Sequence, residues 1–412
     1  MTDKHIEIVM KDAVNDCKVG ELWSHYTRGK ESSDFEYSSE WLKSQKAFNI
    51  SPELYLSNGK QSCTDKPIIG ALSDCAPDTW GRMLMRRFER QKAKIENRAP
   101  KVLNEIDYLM LVNDFSRQGA IRLKEFGCNK FSFDSDIKSI PPLVDIKKLL
   151  DASNRFCENE EHEDDLKLLI SPGSSLGGAR PKASVIDEDE NLCIAKFPKR
   201  TDEFSRVLWE ALALTLAKNC GLKVQDFKVI YVGKTPVIIL KRFDREKLKR
   251  IPFMSAMTML KAVDNDSNLH SYLEIADGIR QNCVNVKADL KELFSRIIFS
   301  ILISNTDDHL RNHGFLRLSD RGWSLSPLYD VNPNESPRDM LTTLVDEVSE
   351  AQDLEVALNT SEYYDLSFKE AKEIALFQKQ QIQKFEIIAK ELKICRSEID
   401  TMSYAFRYAL RC

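Results

Sequence analysis

The sequence lacks most of what reveals a function at first sight. No apolar run is long enough for a membrane: Ile297 to Ile303 falls well short of the roughly twenty residues a bilayer requires. No sign of charge dominates, because 60 Lys and Arg face 64 Asp and Glu for a net charge of −4. That balance removes any global case for binding nucleic acid or an anionic membrane. The ten cysteines form no CxxC pair and no tight cluster, which suits reduced thiols in a cytoplasm. Cys193 and Cys220, set among apolar neighbours, read as small core residues. There is no GxGxxG, no internal repeat and no low-complexity tract. The opening MTDKHIEIVMKD has no cationic region followed by an apolar one, so neither export nor membrane insertion is expected.

With 412 residues, 42% of them hydrophobic and 30% charged, the chain can hold two or three domains with substantial cores. Its most informative stretch is NTDDHLRNHGF, from Asn305 to Phe315, followed by LSPLYDVNP, from Leu325 to Pro333. Asp307 and Asn312 stand five positions apart and Asp330 follows eighteen later. That is the order in which a protein kinase presents its catalytic Asp, a metal-binding Asn and a metal-binding Asp. Phosphoryl transfer needs a carboxylate near the attacking hydroxyl and hard oxygen ligands that hold Mg²⁺ against the ATP phosphates. Two other readings stand beside this one. Asp, Asn and Gly are ordinary loop residues that cap helices and form Asx-turns. Asp307, Asp308, His309 and His313 are also ligand types that a metal-dependent phosphohydrolase would use. Gly314 and the polar density argue for a loop, in which His309 reads first as a structural hydrogen-bonding residue.

The other parts of the chain fit around this centre. Residues 1–125 mix strand-like pieces (IEIVM, KVGELWSHY, DFEYSSEWL) with a helical stretch from about Asp78 to Asp114, as expected of a separate α+β unit. Eight Lys and Arg against two Glu between Arg82 and Lys101 fit a solvated helix face better than a nucleic-acid contact, since stacking residues are missing. The acidic run ENEEHEDD, from Glu158 to Asp165, marks a surface loop or short linker.

After it, LLISPGSSLGGARPKASVIDEDENLCIAKFP predicts a hairpin with a Gly/Ser-rich first turn and a second strand ending at Lys196. Gly173 and Gly178 have Walker spacing, but Ala179 stands where that motif needs Lys. The strand CIAKF resembles one that delivers a kinase lysine to the α- and β-phosphates, and a helix from about Phe204 to Asn219, stopping at Gly221, offers Glu210 as its partner. VIILKRFDR, from Val237 to Arg245, reads as a strand and hinge. Beyond about Pro252, helical periodicity takes over. A broad apolar face of Leu293, Ile297, Ile298, Ile301 and Leu302 supports Asp307, and a Ser367/Glu370 capping box opens a helix running through AKEIALFQKQQIQKFEIIAKEL.

GSSLGGARPKA, IAKFP, WEALALTLAKNCGL, KRFDR, NTDDHLRNHGF and LSPLYDVNP resemble, in order, the signature segments of the HipA family of bacterial serine/threonine kinases. VGEL, FEYSSEWL, ALSDCAPDTWGRMLM and NDFSRQGAIRL resemble that family's N-terminal subdomain. The resemblance implies an α+β, protein-kinase-like bilobal fold. Its parts would be a small mixed N-terminal subdomain (1–125), a β-rich ATP-binding lobe (126–250) and an all-α C-terminal lobe (251–412). It implies Asp307 as catalytic base, Asn312 and Asp330 as Mg²⁺ ligands, and an ATP-binding set of Ser174, Ser175, Gly177, Gly178, Lys196, Glu210, Lys241, Phe243 and His309. Ser175, or Ser174 beside it, falls where the family autophosphorylates its Gly-rich loop and so switches itself off. Lys241 departs from the common ERFDR pattern, a change that leaves backbone contacts to adenine intact.

The family also implies a cytoplasmic toxin of a toxin–antitoxin pair, acting on a serine of a translation component, in characterised members an aminoacyl-tRNA synthetase, and so arresting growth and favouring persistence. Its partner would be a HipB-like helix-turn-helix antitoxin, with operator DNA reached only through that partner and no membrane contact. The rival to catalysis is a kinase-like protein that serves mainly as an antitoxin-binding co-repressor.

Overall fold

The computed structural model describes residues 3–11, 16–133, 140–173, 178–247, 249–263, 270–335, 340–349 and 351–410. The chain divides into two compact units, Met1–Arg200 with Tyr231–Met254, and Thr201–Ile230 with Ser255–Cys412. β5 (Ile121–Glu125) closes the sheet that the N-terminus begins, and the chain continues in the same unit to Arg200. The helix Arg206–Asn219 is grouped with the C-terminal helices.

The first unit opens with β1 (Lys4–Lys11), β2 (Asp16–Thr27), β3 (Lys30–Tyr37) and β4 (Gln61–Cys63), which with β5 form an antiparallel sheet in the order β4-β3-β2-β1-β5. Alternation explains the burial: Ile6, Ile8 and Met10 of β1, Leu22 of β2, and Phe35 and Tyr37 of β3 turn to one face and pack with Leu72, Ile106 and Leu109. A bulge between Ile8 and Val9 shifts the register at Gly20. A Cβ there would lie 2.3 Å from the Glu36 carbonyl oxygen and 2.6 Å from the Phe35 ring. Asp78 caps the following helix, Thr79–Ile95, by accepting from the Gly81 N–H at 3.1 Å. Of its cations, Arg82 pairs with Glu105, Arg87 with Glu161 and Lys92 with Glu96. The acidic run spans a tight turn between the helices Ile146–Glu158 and Glu163–Gly173, turned by Asn159 at φ 60° and held by Arg155 on Asp165.

A second sheet follows. β6 (Lys182–Ile186) and β7 (Leu192–Lys196) form the expected hairpin, and β7 pairs next with Thr235–Lys241. The LLISPG segment before it is helical rather than part of a strand. Gly173 is pressed against Leu84 and Trp80, where a Cβ would approach to 2.7 and 3.2 Å.

The second unit is mostly helical among its described residues, with a hairpin of Gly314–Ser319 and Gly322–Leu325 whose first strand begins at the end of the NTDDHLRNHGF segment. Arg206–Asn219 is capped by Ser205 and ends in a Schellman turn, with Gly221 at φ 80° and Leu222 N–H donating to the Ala217 carbonyl at 3.0 Å. Val286–Leu302 is its central helix, with Leu293, Phe294, Ile297, Ile298, Phe299, Ile301 and Leu302 all buried. The Ser367 capping box forms as read. The helix it opens stops at Ile382, and a second runs Phe385–Glu391, so the long helix expected there is broken in two.

Candidate active site

The NTDDHLRNHGF segment is launched by the end of the central helix. Ser304 adopts φ 55°, its N–H donates to the Ile301 carbonyl at 3.2 Å, and the Asn305 N–H donates to the Ser300 carbonyl at 2.8 Å. That is a Schellman turn with serine where glycine is usual. The Ser304 hydroxyl compensates by donating to the Ala405 carbonyl at 2.7 Å and accepting from Gln352 and Arg407 at 2.9 and 3.0 Å.

The next two carboxylates differ in environment. Asp307 is exposed, whereas Asp308 is buried. Asp308 Oδ2 accepts from the Tyr272 hydroxyl at 2.7 Å and the Ser300 hydroxyl at 3.1 Å, and Oδ1 lies 3.1 Å from His313 Nε2. Burial pushes this carboxyl up, but His313, Tyr272 and Ser300 outweigh it and hold it below the usual carboxylate range. Burial and the neighbouring carboxylate drive the Tyr272 hydroxyl well above its ordinary value. Asn312 ends a short 3-10 turn, Leu310–Asn312, and its Nδ2 donates to the Asp307 carbonyl oxygen at 3.1 Å. That bond orients the amide. His309 N-caps that turn by position, and its Nδ1 is buried with no hydrogen-bond partner among the described residues.

Asp330 sits half-buried at φ 54°, a left-handed conformation Asp tolerates better than most side chains. Its strand of chain is stitched to the Asp307 loop at several points. The Tyr329 hydroxyl donates to the Arg311 carbonyl at 2.5 Å, Asn332 N–H to Asn305 Oδ1 at 3.2 Å, and Asn334 Nδ2 to Thr306 Oγ1 at 2.8 Å. The structure therefore ties together the loops bearing Asp307, Asn312 and Asp330, residues that the sequence spaces widely.

Of the remaining expected ATP-binding residues, Lys196 ends β7 opposite Lys182, and Lys241 pairs with Cys193 across the same sheet. Phe243 packs on Phe253 with ring centroids 6.2 Å apart. Gly178, at φ 90°, accepts from the Trp80 N–H at 3.4 Å. Glu210 is buried on Arg206–Asn219 in the second unit, whereas Lys196 belongs to the first. Ser174, Ser175 and Gly177 lie outside the described residues.

Sequence reasoning missed the role of the KRFDR charges. Asp244 is buried and accepts from Arg242 Nε at 2.8 Å, Arg245 Nη1 at 2.9 Å and the Gly119 N–H at 2.7 Å. Arg242 and Arg245 donate on to the carbonyls of Ser116 and Gly119, and Arg250 to that of Asp114. Burial opposes the Asp244 charge, yet Arg242 and Arg245 hold its carboxyl far below the usual range, while burial drives Arg245 down to about 9. The segment that reads as a hinge is thus also a clamp on NDFSRQGA. Lys182 was likewise unread: it is buried, with Nζ 3.5 Å from Asp78 Oδ2, and Trp80 Nε1 donates to its carbonyl at 2.9 Å. The available signal was charge inside otherwise apolar stretches.

Comparison with known families identifies the class of protein to which this chain belongs. The family profile for the HipA-like C-terminal domain matches residues 174–397, and that for the HipA N-terminal domain matches 12–106. The protein belongs to the HipA family. It is 27% identical over 197 residues to a putative kinase of Haemophilus influenzae, a match covering 42% of this chain and 57% of that one. It is 21% identical over 190 residues to the serine/threonine-protein kinase toxin HipA of Shewanella oneidensis, covering 39% and 43% respectively. The matched stretches span about half the length of these curated relatives. The fold is similar over 98% of this chain, with a TM-score of 0.66 and 15% identity, to a chain in the Shewanella oneidensis complex of HipA, HipB and operator DNA. No helix among the described residues is long and apolar enough to cross a membrane.

Proposed function

We propose that the protein is an ATP-dependent serine/threonine kinase acting as the toxin of a HipBA-like pair. The observation that carries this reading is the joining of two loops so that an exposed Asp307 stands beside Asn312 and the Asp330 segment. Asn312 and Asp330 supply the amide and carboxylate oxygens that suit Mg²⁺, which keeps its other positions for water and substrate phosphates. Bound there, the ion would neutralise charge on the transferring phosphoryl group. Asp307, free of the bonds that occupy Asp308, accepts the proton of the attacking serine hydroxyl. The serine oxygen bonds to the γ-phosphorus as the bond to the β-phosphate oxygen breaks, releasing ADP. Lys196 would contact the α- and β-phosphates with Glu210 as its partner, and Lys241 and Phe243 would flank the adenine.

The phosphohydrolase alternative needs His313 as an accessible ligand. His313 is fully buried and faces Asp308 instead, and among the described residues no group of three or more His, Cys, Asp or Glu is placed to hold a metal. The substrate class is a serine on a component of the translation machinery, and the partner is a HipB-like antitoxin that carries the operator contact. Both are supported by the family resemblance rather than by this geometry.

Intact-mass measurement after dephosphorylation and incubation with Mg²⁺-ATP tests the reading, with wild type beside Asp307→Asn. The expected result is a phosphate gained by the wild type alone, mapped to Ser174 or Ser175. No phosphate on either protein, with no detectable ATP binding, refutes it and favours the co-repressor.

A further inference from the structure

The loop that carries Asp307 is held from behind by groups that touch neither a nucleotide nor a metal in the mechanism above. Asp308 is buried at 3% exposure and His313 at 0%, five residues apart on either side of the 3-10 turn. Every anchor on Asp308 comes from a different place. Tyr272 starts the helix Tyr272–Asn282, Ser300 belongs to the central helix, and His313 leads into the hairpin. Thr343 Oγ1 donates to the Asp308 carbonyl oxygen at 2.6 Å. The Tyr272 ring stands edge-on to the His313 imidazole, 5.6 Å between centroids at 87°, and the Ala256 N–H donates to the His313 carbonyl at 2.7 Å.

We infer that Asp308 and His313 form a buried lock that positions the phosphotransfer loop, fixing the direction of Asp307 and its spacing from Asn312. The inference rests on the kinase reading of this site. Asp308 is held by Tyr272, Ser300 and His313 while Asp307 beside it is exposed, so anchoring the one residue fixes the stretch of backbone that carries the other. The Asn312 Nδ2 bond to the Asp307 carbonyl then carries the same constraint across the turn. A loop held this way presents base and metal ligand without reorganising at the moment of transfer, which is where misplacement by an ångström lowers rate sharply. Asp308 and His313 are therefore positioning residues, and their loss should act on turnover rather than on nucleotide affinity.

The test uses the full chain with Asp308→Asn, His313→Gln, Tyr272→Phe and the double Asp308→Asn/His313→Gln, measuring kcat and KM for ATP, affinity for ATP, and thermal midpoint. The expected result for Asp308→Asn is a kcat lower by 10- to 100-fold with KM and ATP affinity within about threefold. Tyr272→Phe, which removes one donor and keeps the ring, should retain most of the activity. The double variant should lose no more than the worse single, because both break one unit. A folded Asp308→Asn protein with wild-type kcat overturns the lock, as does a parallel loss of ATP affinity and kcat. If Asp308→Asn does not fold, His313→Gln decides by the same split. A wild type that transfers no phosphate refutes the kinase reading itself and is told apart by its own control.

Discussion

Replacing Asp244 by Asn removes one charge from the most arginine-rich interior of the molecule. The Asp244 carboxylate receives two bonds from Arg242, one from Arg245 and one from the Gly119 N–H, and all three charged side chains are buried. The amide keeps an oxygen for one donor but turns an NH₂ toward a guanidinium, leaving two buried cations without their counter-charge. Removing one partner of such a buried pair costs about 3–5 kcal/mol, because the remaining charge has lost its water as well as its partner. For a unit of this size, each kcal/mol shifts the midpoint by about 2–4 °C, so the first thermal transition should fall by roughly 6–20 °C. Differential scanning calorimetry of the full chain at pH 7 measures it, with Arg242→Met and the double variant completing a cycle. The two single losses should add to more than the double, with a coupling of about 1 kcal/mol or more. A midpoint within 2 °C of wild type, or strict additivity, would refute the claim that these charges act as one clamp.

The same cluster sets a pH response. Burial opposes ionisation of Asp114 and Asp244, but their arginines hold both below the ordinary carboxylate value. A carboxyl depressed in the folded state adds stability above the unfolded pKa, about 3.9 for Asp, and loses it as pH falls through the folded values. Urea midpoints should therefore be insensitive to these groups between pH 5 and 8 and drop below about pH 4, less steeply in Asp244→Asn than in wild type. Gly20→Ala should cost about 1–3 kcal/mol in urea unfolding, since its Cβ meets the Glu36 carbonyl and Phe35 ring and the bulge must shift; Gly29→Ala, with nothing within 4 Å but φ 83°, provides a milder comparison.

Local signals in the sequence translated directly into structure. Gly221 stops its helix because only a left-handed residue closes that Schellman turn, and Ser367 with Glu370 opens another because the two side chains satisfy each other's backbone donors. Period-two alternation placed β1, β2 and the hairpin ending at Lys196, whereas DFEYSSEWL is strand only as far as Tyr37 and turns helical at Ser39. What the sequence withheld was of longer range. Nothing local distinguishes Lys384 from its neighbours in QKQQIQKFEI, so the break between the last long helices could not be read. The arginines of KRFDR look like solvent-facing charges until the chain brings NDFSRQGA against them, more than a hundred residues away in sequence.

The paired carboxylates show the limit most sharply. Asp307 and Asp308 are identical side chains on adjacent residues, and spacing to Asn312 and Asp330 favours the first without explaining the second. The explanation comes from Tyr272, Ser300 and His313, which lie on three other elements and converge on Asp308. Under the kinase reading, a carboxylate buried among these neighbours is out of reach of a substrate, while the exposed one beside it is the candidate base. The different exposures of two equal carboxylates are thus set by packing behind the loop rather than by the motif.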